Sequence, residues 1–303
     1  MPGVIGILWI GIVGGALAVA AGEFGRTTPW LDTFTHFRPQ LAIVLATLAV
    51  AAMPVRRWFL ALVGAVAAGW ATVTVLDDGA CTAMPEGDPL RVMTFNLWAG
   101  NYEADAVAAR VRQFDPDIVL FQEFGQVQLA LRPLLEADYP HQIDCANQRG
   151  CRLALFARQP WAHAVTQGRA EGTPPLLTAR FDRGEGRGGF TVVGTHLARP
   201  TDGEDWQARD LADVAAHVSA QQGPVIVAGD FNATPWSYAL HGFRARTGLC
   251  GAPGYRPSWP DWLGAVGLPI DQVFVSPGLG VTAEVLAAAG SDHLPIGAGG
   301  TLP

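Results

Sequence analysis

The chain has 303 residues, half of which are hydrophobic, and its formal net charge at pH 7 is −7. The first 80 residues contain four arginines and four acidic residues, so the negative charge belongs entirely to the rest. Proteins that grip a nucleic-acid duplex through many phosphates carry a basic face. The composition therefore excludes a nucleic-acid-binding domain with a broad basic face. A local arginine cluster is still compatible with it.

Three apolar segments come first in the chain and predict a membrane anchor over residues 1–76. Residues 4–21 and 58–76 contain no charge and match the thickness of a bilayer core. Residues 39–55 form a shorter segment, which spans the membrane only if it is tilted little or if the bilayer is thinner there. We expect about three transmembrane helices. For the first segment a signal peptide is the alternative, although no basic residue precedes it.

Charge and cysteine positions predict which side of the membrane the rest occupies. Arg56 and Arg57 stand in the tight connection between the second and third segments, which the positive-inside rule places in the cytoplasm. Everything after Leu76 is then extracytoplasmic in a multi-pass protein of the cell membrane. All four cysteines lie in that part, as expected for an exported domain with two disulfides. Cys145 and Cys151 are the favoured pair, and four free buried thiols are the alternative.

Residues 77–89 are rich in acids, Gly and Pro and predict a linker, followed by one soluble domain over residues 90–303. In that domain apolar strand patterns alternate with helical periodicity, which predicts sheets covered by helices. Residues 184–189 predict a hairpin loop or flexible turn. Strands are expected at 91–95, 117–122, 153–157, 176–181, 190–195, 224–229, 272–275 and 281–287, and helices at 104–114, 126–136 and 204–221.

Polar residues stand at the ends of these apolar strands. A buried carboxylate, amide or imidazole without a partner costs several kcal/mol, and one shared pocket that contains a cation and water would satisfy all of them together. The residues concerned are Asn96, Glu123, His196, Asp230, Asn232, Asp271, Asp292 and His293.

The stretches that carry these residues occur in a fixed order: TFNLWAGN, IVLFQEF, VVGTHLA, VAGDFNATPWS, LPIDQVFVS and GSDHLPI. In composition and order they resemble the endonuclease/exonuclease/phosphatase (DNase I-like) superfamily of metal-dependent phosphoesterases. The resemblance covers about residues 91–296. It implies an α/β (α+β) fold, a four-layer sandwich of two mixed β-sheets flanked by helices, with the active site at one end.

The resemblance also implies a metal site. Glu123 resembles the principal ligand of the metal ion, with Asn96 assisting it and Asp292 serving the same site. Oxygen ligands of this kind suit Mg²⁺ or Mn²⁺. Where some nucleases of the family have an acid two residues after the asparagine, this chain has Trp98, so that metal contact is missing.

The remaining residues take catalytic roles by the same resemblance. Asp230 resembles the carboxylate that orients or deprotonates the attacking water, and Asn232 the amide that contacts a phosphate oxygen. We expect Asn232 to lie two residues further along an extended strand, on the same side as Asp230. His293 resembles the imidazole that contacts the phosphate and is oriented by Asp271. His196 resembles the general acid for the leaving oxygen.

The sequence therefore predicts a membrane-anchored hydrolase of a phosphate mono- or diester. A lipid-linked substrate is favoured over nucleic acid because the domain is acidic and tethered to a bilayer, and no protein partner is evident. An exported nuclease and a non-catalytic binding module on the same fold are the alternatives. Arg180 and Arg199 are compatible with contacts to an anionic substrate, but solvated arginines are commoner, so they are placed outside the predicted site.

Overall fold

The computed structural model describes residues 2–76, 79–81, 87–169, 173–184, 188–203 and 205–302. Residues 77–78 and 82–86 of the predicted linker, 185–187 of the predicted hairpin loop and residue 204 lie outside the described residues. The chain forms two compact units. The first contains Met1–Asp78 and Pro235–His241, and the second contains Gly79–Thr234 and Gly242–Pro303.

Helices account for the first unit. They are α1 (Pro2–Gly22), α2 (Thr33–His36), α3 (Arg38–Ala52) and α4 (Trp58–Val73), with 3-10 turns at Glu23–Arg26 and Pro29–Asp32. The three apolar segments of the sequence thus form helices. By length and composition, only the helix Gly3–Arg26 among the described residues is able to cross a membrane alone. The pair Pro29–His36 and Arg38–Ala52 passes the same test together but is bent by 59°, and Trp58–Val73 is apolar but shorter.

Small residues allow α1, α3 and α4 to pack closely. A side chain at Gly15 would collide with Leu45, and one at Gly64 would collide with Ala49. Close approach through Gly and Ala is the usual packing of helices in membranes. The outward surface of all three helices is apolar and exposed, with side chains such as Ile7, Ile10, Leu17, Ile43, Val44, Leu62, Val66 and Val73.

Buried polar groups hold the segment Pro235–His241 within this helical unit. The Arg38 side chain is 2% exposed and donates to Glu23 Oε1 at 2.6 Å and to the Trp236 carbonyl at 3.2 Å. Asp32 Oδ1 accepts from the Tyr238 amide at 3.0 Å. No local sequence pattern predicts this arrangement, because its partners are about 200 residues apart in the chain.

Two mixed sheets make up the second unit. The first has the order β11-β12-β1-β2-β4-β3, and the second has the order β5-β6-β7-β8-β10-β9. In each sheet one central pair is parallel, β1 with β2 and β7 with β8, while the other pairs are antiparallel. The strands are β1 (Asp88–Asn96), β2 (Ile118–Gln122), β3 (His141–Asp144), β4 (Leu153–Ala157), β5 (His163–Gln167), β6 (Leu176–Phe181), β7 (Phe190–His196), β8 (Val225–Asp230), β9 (Cys250–Gly251), β10 (Asp271–Val275), β11 (Gly280–Val285) and β12 (Ile296–Leu302).

Successive residues of the central strands enter two different cores. In β2, Leu120 joins a cluster that also contains Val192 and Ile226 of the second sheet, whereas Phe121 joins a cluster with Val111 of a helix. This alternation follows from the two-residue period of a strand. It yields two mixed sheets flanked by helices, as the sequence predicts. The helices are α5 (Ala104–Phe114), α6 (Leu131–Leu135), α7 (Trp206–Ser219) and α8 (Tyr238–Thr247), of which the residues up to His241 belong to the first unit.

The predicted helix over 126–136 is wrong in extent. A 3-10 turn at Gln128–Ala130 precedes the short α6, which begins two residues before Pro133. Proline has no amide hydrogen and is tolerated only in the first turn of a helix. The polar or glycine-rich segments β3, β5, α8 and β12 were not predicted.

Both cysteine pairs are disulfides, Cys145–Cys151 as favoured by the sequence and Cys81–Cys250. The strands β6 and β7, which lie on either side of residues 184–189, pair antiparallel.

Candidate active site

Strand register brings three of the predicted residues to one end of the second sheet. Asp230 at the end of β8 is paired with His196 of β7 and with Asp271 of β10. In the first sheet, Asn96 ends β1 beside Gln122 of β2, so that Glu123 follows directly. The two sheet ends meet, because Asn96 Nδ2 donates to Asp230 Oδ2 at 3.0 Å.

Unusual backbone conformations occur where these strands end. Gly229 has a φ of 151°, and a Cβ there would lie 1.9 Å from the Thr195 carbonyl oxygen, so only glycine fits. Glu123 and Asn232 have left-handed φ values of 55° and 49°, a conformation uncommon for residues other than glycine. Both positions direct functional side chains away from the path of the preceding strand.

The expected position of Asn232 on an extended strand is wrong. The strand β8 ends at Asp230, whose Oδ1 accepts the Asn232 backbone amide at 2.8 Å. An aspartate that binds the amide two residues ahead turns the chain. The Asn232 side chain is consequently aimed differently, and its Nδ2 donates to the Leu197 carbonyl at 3.0 Å.

Two histidines approach the same carboxylate. His293 Nδ1 lies 2.8 Å from Asp271 Oδ2, and its Nε2 lies 3.8 Å from Asp230 Oδ2. His196 Nε2 lies 3.5 Å from the same Asp230 oxygen. Asp271 therefore fixes the ring of His293 in the orientation that exposes Nε2 to the centre of the cluster.

The surroundings of the site raise the pKa of both His293 and Asp230. Burial alone would lower the pKa of His293, but the charge and hydrogen bond of Asp271 and the charge of Asp230 raise it to about 9. Burial, followed by the neighbouring Asp271 charge, raises the pKa of Asp230, which is 2% exposed. A carboxyl group whose pKa is perturbed in this way marks a candidate functional site.

The cluster has the donor chemistry that a divalent cation requires. Asp271 Oδ1 is buried and has no hydrogen-bond partner among the described residues. Ligand atoms of Asp230, Asp271 and His293 lie within 4.8 Å of one another. Glu123 Oε2 accepts the Ala99 amide at 2.8 Å, and its Oε1 lies 3.4 Å from Asn96 Nδ2. Several crowded carboxylates with an unsatisfied oxygen fit a hard cation.

Asn96 and Asp292 take other partners than the predicted metal set implies. Asn96 Oδ1, the atom that would bind a cation, accepts the Trp98 amide at 3.0 Å. Its nitrogen faces Glu123 and Asp230, so Asn96 bridges two carboxylates. Asp292 Oδ2 accepts the Trp259 indole at 3.2 Å.

Two serines that sequence reasoning missed join the parts of the site. Ser291 Oγ donates to the Asn96 carbonyl at 2.7 Å and accepts the His293 amide at 3.0 Å. Ser258 Oγ accepts the Asp271 amide at 3.2 Å. Ser291 lies two residues before His293 in the block GSDHLPI, so the motif itself points to it. No motif surrounds Ser258.

A sandwich of two mixed sheets with this cluster at its strand ends defines a metal-dependent hydrolase of phosphoric esters. Residues 93–293 match the sequence model of the Endonuclease/Exonuclease/phosphatase family. The chain belongs to this family, and the resemblance drawn from the six sequence blocks is confirmed.

Similar proteins include a UPF0294 protein of Klebsiella pneumoniae strain 342, which is 36% identical over 249 residues and matches 72% of this chain and 86% of its own. A UPF0294 protein of Erwinia tasmaniensis is 36% identical over 110 residues, where 35% of this chain covers 39% of the relative. The crystal structure of an endonuclease/exonuclease/phosphatase from Beutenbergia cavernae DSM 12333 is 25% identical with a TM-score of 0.58, covering 71% of this chain and 72% of that one.

Proposed function

We propose that the protein is a membrane-anchored phosphoesterase that hydrolyses a phosphate mono- or diester outside the cytoplasm, with a lipid-linked substrate favoured over nucleic acid. The observation that carries the proposal is the environment of Asp230. Its Oδ2 is approached by His196, His293 and Asn96 within 3.8 Å, at the joined ends of both sheets. This is a site built to handle water and a phosphoryl group together.

Each side chain has a defined task in this proposal. Asp230 orients the attacking water and accepts its proton, which is favoured by the raised pKa of the carboxyl. His293, held by Asp271, donates from Nε2 to a phosphoryl oxygen and stabilises the charge that grows there. His196 gives a proton to the leaving oxygen, and Asn232 contacts the phosphoryl group with its second amide hydrogen.

The metal site completes the proposed centre. Mg²⁺ or Mn²⁺ would be held by Glu123, with Asn96 and Asp292 beside it and the unsatisfied Asp271 oxygen available to the cluster. The cation would supply positive charge for the equatorial oxygens of the transition state. Proton transfer by a positioned side chain contributes about 10²–10⁴-fold, so the rest of the acceleration comes from charge stabilisation and positioning.

The surface of the helical unit supports anchoring in a bilayer. Large apolar side chains are exposed along α1, α3 and α4, including Ile10 at 77% and Phe59 at 71% exposure. Soluble proteins rarely expose apolar patches of this extent. Arg56 and Arg57 are exposed between α3 and α4, as a cytoplasmic connection would have them.

Two disulfides in the sandwich unit support an extracytoplasmic active site, because disulfides persist in oxidising compartments. The test of sidedness is a reporter fused after Gly87, before β1. We expect activity from a reporter that works only outside the cytoplasm. Activity only from a cytosolic reporter would reverse the orientation.

Substrate class is tested with full-length protein in detergent and a matched Asp230→Asn variant. Isoprenyl phosphates, sphingomyelin, inositol phosphates and duplex DNA are each incubated with Mg²⁺, Mn²⁺ or a chelator. We expect metal-dependent hydrolysis of a lipid-linked phosphate that the variant lacks. Cleavage of DNA alone, lost in the same variant, would establish the nuclease instead. Inactivity on every substrate would favour a binding module.

A further inference from the structure

A cleft of about 530 Å³ opens in the sandwich unit beside His196 and Asn232. It adjoins the leaving-group side of the proposed reaction, because His196 is the proposed acid for the leaving oxygen. Besides those two residues, the side chains that matter in its lining are Arg152, Arg169, Arg199, Asp202 and Trp206.

One of the three arginines has a structural partner. Arg169 binds Asp210 with both terminal nitrogens, at 3.0 and 2.8 Å, and donates to the His196 carbonyl at 3.3 Å. Its charge is therefore balanced by a carboxylate that is 2% exposed. Arg169 therefore fixes the backbone at His196. The positive charge that is available in the cleft comes from Arg152 and Arg199.

Arg152 and Arg199 supply the positive charge of the cleft. Both are exposed, and neither guanidinium pairs with a carboxylate of the described residues. Asp202, the acidic residue of the lining, accepts the Arg199 backbone amide at 2.8 Å and offsets part of this charge, so that the lining stays net positive. In a domain that carries the whole net charge of −7, two such arginines that face one cleft create a local anion site.

The chemistry of the lining indicates what it takes. A guanidinium presents a planar fork of donors that matches phosphate and carboxylate oxygens. Trp206, which is 48% exposed, adds a flat apolar wall. We propose that the cleft binds a negatively charged leaving group, so that the preferred substrates are phosphate esters whose leaving group carries a second phosphate, phosphonate or carboxylate.

This assignment rests on the proposed phosphoesterase function and takes Arg199 as an arginine that meets an anionic substrate. Kinetics on full-length protein test it with phenyl phosphates, as monoesters and as methyl diesters. The leaving group carries a 4-carboxylate, a 4-phosphonate or, as the neutral control, a 4-carboxamide. Intrinsic reactivity cancels when one substrate is compared between protein variants.

We expect Arg152→Ala and Arg199→Ala each to lower kcat/KM for the charged substrates by about tenfold, the effect of losing a charge-assisted hydrogen bond. The double variant should lose more, and the carboxamide substrate should change little. Arg246→Ala removes an exposed arginine at the end of α8, outside the cleft, and should behave as wild type. Equal losses on charged and neutral substrates would overturn the proposal.

A binding measurement separates the cleft from the reaction. Pyrophosphate is titrated into full-length protein by calorimetry in the presence of a chelator. We expect binding by wild type and by Arg246→Ala, and at least about tenfold weaker binding by the double variant. Unchanged binding in the double variant overturns the cleft assignment. Arginine-dependent binding without turnover of any substrate would instead refute the phosphoesterase function and leave the anion site standing.

Discussion

Two buried aspartates, one in the helical unit and one in the sandwich, have opposite surroundings. Asp32 is 4% exposed, and its oxygens accept the amides of Tyr238 at 3.0 Å and Ala239 at 2.9 Å. Asp271 is 3% exposed, and one oxygen binds His293 while the other has no partner among the described residues. The two carboxylates are therefore buried to a similar extent, but only that of Asp32 has a hydrogen-bond partner for each oxygen.

The difference separates a buried charge that builds a fold from one that serves a reaction. Hydrogen bonds to both oxygens offset part of the penalty of burying a carboxylate. An orphaned one is retained at a cost that function explains. The sandwich is also able to satisfy a buried acid, since Asp210 binds Arg169 and the Ala198 amide. Among the buried carboxylate oxygens of the described residues, it is Asp271 Oδ1 at the strand ends that lacks a hydrogen-bond partner.

The largest effect is expected for Asp230→Asn. The change should lower kcat/KM by about 10²–10⁴-fold, because the proton acceptor is lost. The melting temperature should change little, because removal of a buried charge next to Asp271 offsets the loss of one of the two acceptors that bind Asn96 Nδ2 and the Asn232 amide. Activity assays and thermal unfolding measure both. A variant that unfolds, or that retains activity, would contradict the division between structural and functional acids.

Asp32→Asn should give the reverse pattern. An asparagine places a donor against a backbone amide, which we expect to lower the free energy of unfolding by about 2–3 kcal/mol. Activity per folded molecule should be preserved. Denaturant unfolding is compared with Asp138→Asn, an exposed partner of Arg112, which should change stability by less than about 0.5 kcal/mol. A loss of turnover without a loss of stability would assign Asp32 to the reaction.

Glu123→Gln should raise the metal concentration needed for half-maximal activity by at least about tenfold, as loss of a ligand charge predicts. The isosteric side chain preserves the acceptor for the Ala99 amide. Titrations with Mg²⁺ and Mn²⁺ after chelator treatment measure the shift. Glu136→Gln, an exposed acid after α6, is the control and should titrate like wild type. An equal shift in both variants would remove Glu123 from the metal site.

Local sequence patterns predicted sheets covered by helices and singled out the polar residues at strand ends, and the resemblance of the six blocks supplied the sandwich. The strands β2 and β4 are short apolar runs that are buried on both faces, and runs of this length between turn residues are typical of core strands. The polar residues at strand ends were recognisable because they interrupt apolar runs, as Asp230 does after VIVAG. These features depend on neighbours in the chain.

The rest depended on distant partners. The direction of Asn232 is set by a bond from its amide to the Asp230 side chain, and the place of segment Pro235–His241 is set by Asp32 and Arg38. The helical unit was recognised from its apolar composition, but its buried polar cluster was not. Partners about 200 residues apart leave no periodic trace in one sequence.

The smallest effect is expected at His217 in α7, which is only partly buried. Burial lowers its pKa, and its Nε2 lies 2.8 Å from Thr178 Oγ1, an uncharged partner. Because the folded pKa lies below the unfolded value near 6.5, the unfolded chain binds the proton first as the pH falls. Stability from the neutral ring is thus complete above that value and is lost below it.

Urea unfolding of wild type and His217→Gln at pH 7.5 and 5.5 measures this loss. The drop in the free energy of unfolding should be smaller in the variant by less than about 1 kcal/mol, as for most changes outside a packed core. Other histidines titrate equally in both proteins, so the difference isolates one ring. Equal drops would mean that a partly buried imidazole is protonated as easily as one in water. Protonation would then depend on the surroundings only for a fully buried ring such as that of His293.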